Sequence, residues 1–446
     1  MRTFRKPWLI VAMITVMIFT TVACSAGSDD GVTTDGKMKV VWWHSMGGEL
    51  KSAVDHLVKE FNESQSEVVV EAVYQGEYDE SLNKLRASLG SNSGPTMVQV
   101  YEIGSRYMID SNLITPIQTF VDKQNYDLSQ LEENIIGYYT IDDQLNAMPF
   151  NTSNPILYYN KDQFKEAGLD PENPPTTFEE VAKAAEKLSD GKNKGASFAL
   201  YGWFMEQFFA NQGAELVNNG NGRDELATES LLGSEAGVQT LTWWKEMVDD
   251  GVALNLGRKT DDTKKAFTSG QVAMTLDSTA SLRGIVDSVG DKFEVGTAFL
   301  PKPKEADEGG VIVGGASLYI LNNRPETEQE AAWKFIEFLT APEQQAYWHV
   351  NTGYFPITKT AYDEPAVKEN LEKFPQFQTA VDQLHETTLN RATQGALMGV
   401  FPEARQITER AMEEVINGQK TPEKALEDAQ KEITEKIEQY NSTVNR

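Results

Sequence analysis

Cysteine occurs once in the 446 residues, at Cys24, so the chain cannot form an internal disulfide. Histidine is nearly as scarce. His44, His56, His349 and His385 stand apart with no ligand-like spacing, so neither a metal site nor a histidine-anchored triad is expected. Basic residues are outnumbered, 40 against 67 acidic, for a formal net charge of −27. That balance argues against a nucleic-acid partner, which needs clustered Lys and Arg. A small anion is still compatible with it, because a pocket can be positive on a negative protein. No P-loop and no G-x-S-x-G element occurs, so neither nucleotide-driven transport nor serine hydrolysis is expected of this chain. Long apolar runs are also missing, with one exception at the N-terminus. Nothing after it approaches the roughly 20 residues a spanning helix needs.

That exception is informative. Arg2, Arg5 and Lys6 form a basic n-region, and Trp8 to Ala23 is an apolar stretch of about signal-peptide length. Small Ala23 precedes Cys24. Residues 1–23 therefore read as a bacterial lipoprotein signal, cleaved before Cys24, whose sulfur is then acylated. The usual leucine three residues before the cysteine is Thr21 here. An acylated Cys24 leaves no thiol for metal or nucleophile chemistry. Residues 24–36 are small, polar and acidic, and read as a tether reaching roughly 20 Å. The expected address is the extracytoplasmic face of the cell membrane, held by lipid.

The remaining residues exceed one ordinary core and suit two lobes. Met38 to Trp43 reads as a buried strand. Leu50, Val54, Leu57, Val58 and Phe61 then mark one stripe of a helix over 49–62. Val68 to Val73 is a second strand, Leu82, Leu85 and Leu89 a second helix, and Thr96 to Tyr101 a third strand. This alternation predicts an α/β fold with largely parallel strands and ligands at their carboxyl ends. The middle, about 162–250, is mostly helical in pattern. Phe267 to Thr275 reads as a helix end, a glycine cap and a return to strand. Val311 to Leu321 reads as a strand interrupted by a glycine pair, Ala331 to Leu339 as an apolar helix, and the last hundred residues as amphipathic helices.

The strand ends and glycine turns hold an uneven share of polar and aromatic residues: WHSMGGEL from Trp43, YQGEYDESL from Tyr74, VQVYEIG from Val98, PFNTSNPILYYNKD from Pro149, VGGASLYI from Val313 and HVNTGYFPIT from His349. In these segments the chain resembles the extracellular solute-binding proteins of ABC importers, and within them the branch that binds sn-glycerol 3-phosphate. The resemblance runs from about Val40 to the C-terminal helices. It implies a type II periplasmic-binding-protein-like fold of two α/β lobes around a cleft. The N-terminal lobe would comprise 37–152 and 279–322, and the C-terminal lobe 153–278 and 323–446. Hinges would lie near 150–154, 277–279 and 322–324. It further implies a binding protein rather than an enzyme, without cofactor or metal, monomeric, capturing sn-glycerol 3-phosphate or a glycerophosphodiester and delivering it to separate ABC permease and ATPase subunits.

Carried over by motif, the ligand residues would be Tyr78, Glu102, Ser153, Ser278, Gly315, Tyr354 and Arg405. Each type suits the chemistry. Arginine's planar fork matches a phosphate, and serine and tyrosine hydroxyls donate without adding charge. Glycine lets the backbone come close. An ionised Glu102 only accepts, which suits glycerol hydroxyls and places it at the end of the ligand away from the phosphate. For Arg405 the competing fate is a surface salt bridge with Glu403 or Glu409. Among the aromatics, Trp203 and Phe178 are candidates for a cleft wall; Phe178 stands where the resemblance implies a tryptophan. Two other readings stay open at this point: an oligosaccharide-binding protein of the same fold, and a secreted hydrolase.

Overall fold

A computed structural model describes residues 31–88, 94–306 and 309–444. The expected signal, Cys24 and the first part of the tether lie outside these residues, as does Leu89. The strands in chain order are β1 (Met38–His44), β2 (Val68–Tyr74), β3 (Met97–Tyr101), β4 (Ile114–Thr115), β5 and β6 (Thr140–Ile141 and Gln144–Leu145), β7 (Met148–Ser153), β8 (Pro155–Asn160), β9 (Lys194–Ser197), β10 (Ala253–Leu254), β11 (Val272–Ser278), β12 (Val295–Ala298) and β13 (Gly314–Leu321). They build two main sheets. The first runs β2-β1-β3-β13-β4, with β7 also paired to β13; the second runs β10-β9-β11-β8-β12.

Each sheet is parallel on one side only. β2, β1 and β3 pair in parallel, as do β10, β9 and β11. β13, β8 and β12 join antiparallel. The local reading of the N-terminal third holds because its periodicity is strong. The helix Gly48–Ser64 buries Ala53, Val54, Leu57 and Phe61, one stripe at helical spacing, against the first sheet. Trp42 of β1 meets Phe335 of the helix Glu326–Thr340 at 5.6 Å, and Phe61 meets the same ring at 5.0 Å. The second lobe has its own aromatic core, in which Trp243 stacks on Phe178 at 4.1 Å.

The lobe boundaries differ from the expected ones, because they depend on strand pairing between distant segments. At the first crossing β7 ends at Ser153, and one residue later β8 begins in the other sheet. The return does not come at 279. β12 pairs with β8, so the chain stays in the second lobe through Ala298. Its next residues remain tied there, with Gln207 bonding both the N–H and the carbonyl of Ile312. The chain re-enters the first sheet at Gly314. The glycine pair therefore opens a strand rather than interrupting one.

The expected hinge at 322–324 also moves. Asn322 and Arg324 bond to Leu113 and Pro95 of the first lobe, and the helix Glu326–Thr340 packs on the first sheet. The third hinge segment is 353–355, where the Phe355 N–H donates to the Thr152 carbonyl at 2.8 Å. Gly353 there has φ +98, and a Cβ would lie 2.4 Å from the Thr279 carbonyl. Finally, the end of the expected tether is folded: Val32 bridges Met38, and the Thr33 N–H donates to the Lys37 carbonyl.

Candidate ligand-binding site

A cleft of about 230 Å³ lies between the sheets. Tyr78, Glu102, Ser153, Trp203, Ser278, Gly315 and Tyr354 all line it. Their placement follows from the topology. Tyr78 opens the helix that follows β2, Glu102 directly follows β3, and Ser278 ends β11, all at carboxyl ends of parallel strands. Ser153, Gly315 and Tyr354 stand at the three hinge segments. Gly315 is required by its backbone: φ is +94, and a Cβ would come within 1.9 Å of the Asn151 carbonyl. Gly314 is required by packing, since Trp203 lies over it and a Cβ would meet that indole at 2.4 Å.

One end of the cleft is tyrosine-rich. Tyr78 stacks on Tyr101 at 5.3 Å, and Tyr354 on Trp348 at 5.6 Å. Asn151 donates to the Tyr78 hydroxyl at 2.8 Å and is itself held by Gln99. Burial pushes the Tyr78, Tyr101, Tyr201 and Tyr354 hydroxyls above their ordinary pKa, so all four are neutral donors at physiological pH. Hydroxyl-bearing side chains make up eight of the fifteen lining residues, while among the lining residues described there is no lysine or arginine. The surface thus offers neutral hydrogen bonds more than charge.

Arg405 does not lie on the cleft surface. It sits behind Glu102 and Tyr201, 6 % exposed, on the helix Phe401–Ile416. Its Nε and Nη2 donate to the two Glu206 oxygens, each at 2.7 Å, and Nη2 also to Glu102 Oε1 at 2.6 Å. The expected fork for phosphate is therefore occupied by a carboxylate. The surface alternative does not hold either: Glu403 pairs with Arg86 and Glu409 with Arg258. Burial disfavours the guanidinium charge, but Glu206 and Glu102 outweigh it and hold the pKa above its ordinary value. Burial likewise pushes Glu206 up to about 6 against the pull of Arg405. The contact sets Glu102 beside Arg405 with its Oε1 engaged, while Glu102 still lines the cleft.

Phe178 is outside the cleft. Thr177 and Glu180 form a capping box that starts its helix, and this turns the ring inward onto Trp243 and Phe208. Of the two expected wall aromatics only Trp203 reaches the cleft, and its indole N–H has no partner among the described residues. Sequence reasoning passed over Tyr101, Tyr201, Glu206 and Asp277. The signal for Glu206 was the one charged residue inside a mostly apolar helix (GWFMEQFFAN), and for Asp277 a carboxylate near the end of a mostly apolar strand (VAMTLDS).

Residues 56–376 match the bacterial extracellular solute-binding protein family. The chain belongs to that family. It is 35% identical over 411 residues to the sn-glycerol-3-phosphate-binding periplasmic protein UgpB of Escherichia coli K12, covering 90% of this chain and 92% of that protein. To the protein of the same name from Salmonella typhimurium it is 36% identical over 400 residues, 87% of this chain and 90% of that one. Among solved structures, UgpB from Mycobacterium tuberculosis in complex with glycerophosphocholine superposes with a TM-score of 0.78 at 23% identity, over 91% of this chain and all of that one. The sugar-binding protein MalE from Xanthomonas citri does so with a TM-score of 0.76 at 20% identity, over 92% and 99%. At these identities the structures establish the shared two-lobe fold. The family is one of extracellular binding proteins serving ABC importers.

Proposed function

We propose that the chain captures sn-glycerol 3-phosphate, or a glycerophosphodiester containing it, and delivers it to an ABC permease and its ATPase. The observation that carries this reading is the convergence of Tyr78, Glu102, Ser153, Ser278, Gly315 and Tyr354, from six separate segments, on one small cleft. The UgpB relatives give that set its ligand class. In this reading the phosphate lies at the tyrosine end. There Tyr78 and Tyr354 are neutral donors close to Glu102, and Arg405, just behind the wall, offsets part of the negative charge of Glu102 and Glu206. Hinge closure over the ligand adds contacts made only in the closed state. A micromolar dissociation constant corresponds to about −8 kcal/mol.

Calorimetric titration of the soluble form with sn-glycerol 3-phosphate, glycerophosphocholine, maltose and inorganic phosphate tests the proposal. Saturable heat with the first, and none with maltose, is expected. Binding of maltose alone would replace this reading by the oligosaccharide one.

The lipid anchor is part of the same proposal. Acylation at Cys24 would keep the receptor beside its permease and raise its effective concentration there. Cys24→Ser is expected to move the protein from the membrane fraction to the medium or periplasm. A wild-type protein already recovered as a soluble species would rule the anchor out.

A further inference from the structure

The cleft holds a second carboxylate besides Glu102. Asp277 stands near the end of β11 and lines the cleft beside Thr260, Ser278 and Ser281. Its side chain is 3 % exposed. One of its oxygens is engaged within the fold. Oδ1 accepts from the Ser278 N–H at 2.7 Å and from the Ser281 hydroxyl at 3.0 Å, closing the turn that follows the strand. The other, Oδ2, is buried and has no hydrogen-bond partner among the described residues. A buried, unpartnered carboxylate oxygen is costly and calls for a donor. The charged groups that act on Asp277 are Lys264 and Asp261, both from the helix Thr260–Thr268, whereas those acting on Arg405 are Glu206 and Glu102. The two carboxylates thus line one cleft with different charged neighbours.

We propose that Asp277 is a further ligand-binding residue, whose Oδ2 accepts a hydrogen bond from a hydroxyl of the ligand and so fixes which way round a polyol phosphate lies. The inference rests on the function proposed above. It gives Asp277 the role of an acceptor-only group that meets ligand hydroxyls. Its electrostatics agree. Burial pushes its pKa up to about 6, while Lys264 pulls the other way, as expected of a carboxylate still lacking part of its hydrogen-bond shell. Closing the turn accounts for Oδ1 alone.

The test compares two ligands that differ only in the hydroxyls: sn-glycerol 3-phosphate and n-propyl phosphate. Each is titrated calorimetrically into the wild type, Asp277→Asn and Asp277→Ala. Loss of a hydrogen bond to a charged group is expected to weaken sn-glycerol 3-phosphate by about 10- to 100-fold in Asp277→Ala, and by less in Asp277→Asn. The affinity for n-propyl phosphate is expected to stay unchanged in both. Equal weakening of both ligands, or of neither, overturns the inference while leaving the proposed function standing. If the variants fail to fold, wild-type protein decides: n-propyl phosphate binding as tightly as sn-glycerol 3-phosphate overturns the inference. A wild type that binds neither overturns the proposed function and this inference with it.

Discussion

Arg405 is held by two carboxylates, Glu102 and Glu206, so the buried trio carries one negative charge more than it neutralises. Two consequences follow at the scale of the residue. Removing the guanidinium strands both carboxylates, and breaking a buried ion pair from one side costs about 3–5 kcal/mol. Arg405→Ala is therefore expected to lower the urea midpoint of unfolding as well as ligand affinity; unchanged unfolding would mean that Arg405 is not the partner that makes these carboxylates tolerable. The second consequence concerns protons. An arriving phosphate adds negative charge beside Glu102, and Glu206, already pushed up to about 6 by burial, is the carboxyl in the trio placed to take up a proton. A site that binds ligand better when protonated gains affinity as pH falls from 8 towards 6. Calorimetry in two buffers of different ionisation enthalpy is expected to show net proton uptake at pH 7. Identical heats in the two buffers would contradict this.

At the scale of the element, the site is made by places where the chain changes sheet. Asn154 is the single residue between β7 and β8, and its carbonyl accepts the Thr279 N–H at 2.9 Å. Gly315 combines a left-handed backbone with the Asn151 carbonyl at its missing Cβ, while Gly257 has a similar φ, +84, and nothing near it. Both Gly→Ala changes meet backbone strain of about 1–2 kcal/mol, and Gly315→Ala alone also forces β13 away from β7. Its melting temperature is expected to fall well below that of Gly257→Ala. Equal losses would show that the close approach is easily relieved. Periodicity made individual elements legible: of the stripe Leu50, Val54, Leu57, Val58 and Phe61, the middle and end residues Val54, Leu57 and Phe61 are buried, and Leu50 and Val58 partly so. Pairing was not legible, because what holds 279–298 in the second lobe is β12 meeting β8, and nothing local to either strand encodes the partner. The same limit hid the company Arg405 keeps, since Glu206 and Glu102 lie 199 and 303 residues away in sequence.

At the scale of the whole molecule, two lobes joined by three hinge segments make a cleft whose width is set by hinge angle. Ligand contacts on both walls would stabilise the narrower state. The radius of gyration from solution scattering is expected to fall on adding sn-glycerol 3-phosphate and to stay constant with maltose. Trp203, on the cleft wall over Gly314, is expected to report the same event by fluorescence, and Trp203→Phe to remove most of that signal. The position of the cleft was legible from the motif segments, which end strands and open turns. The order in which the lobes exchange chain was not.

The decisive measurement is a crystal structure of the protein grown with sn-glycerol 3-phosphate. Density for the ligand is expected between the sheets, its phosphate against Tyr78, Tyr354 and the Glu102–Arg405 end, its hydroxyls towards Asp277, and the lobes closed around it. Density for the ligand anywhere else on the molecule, or an empty cleft at saturating ligand, would contradict the proposed function.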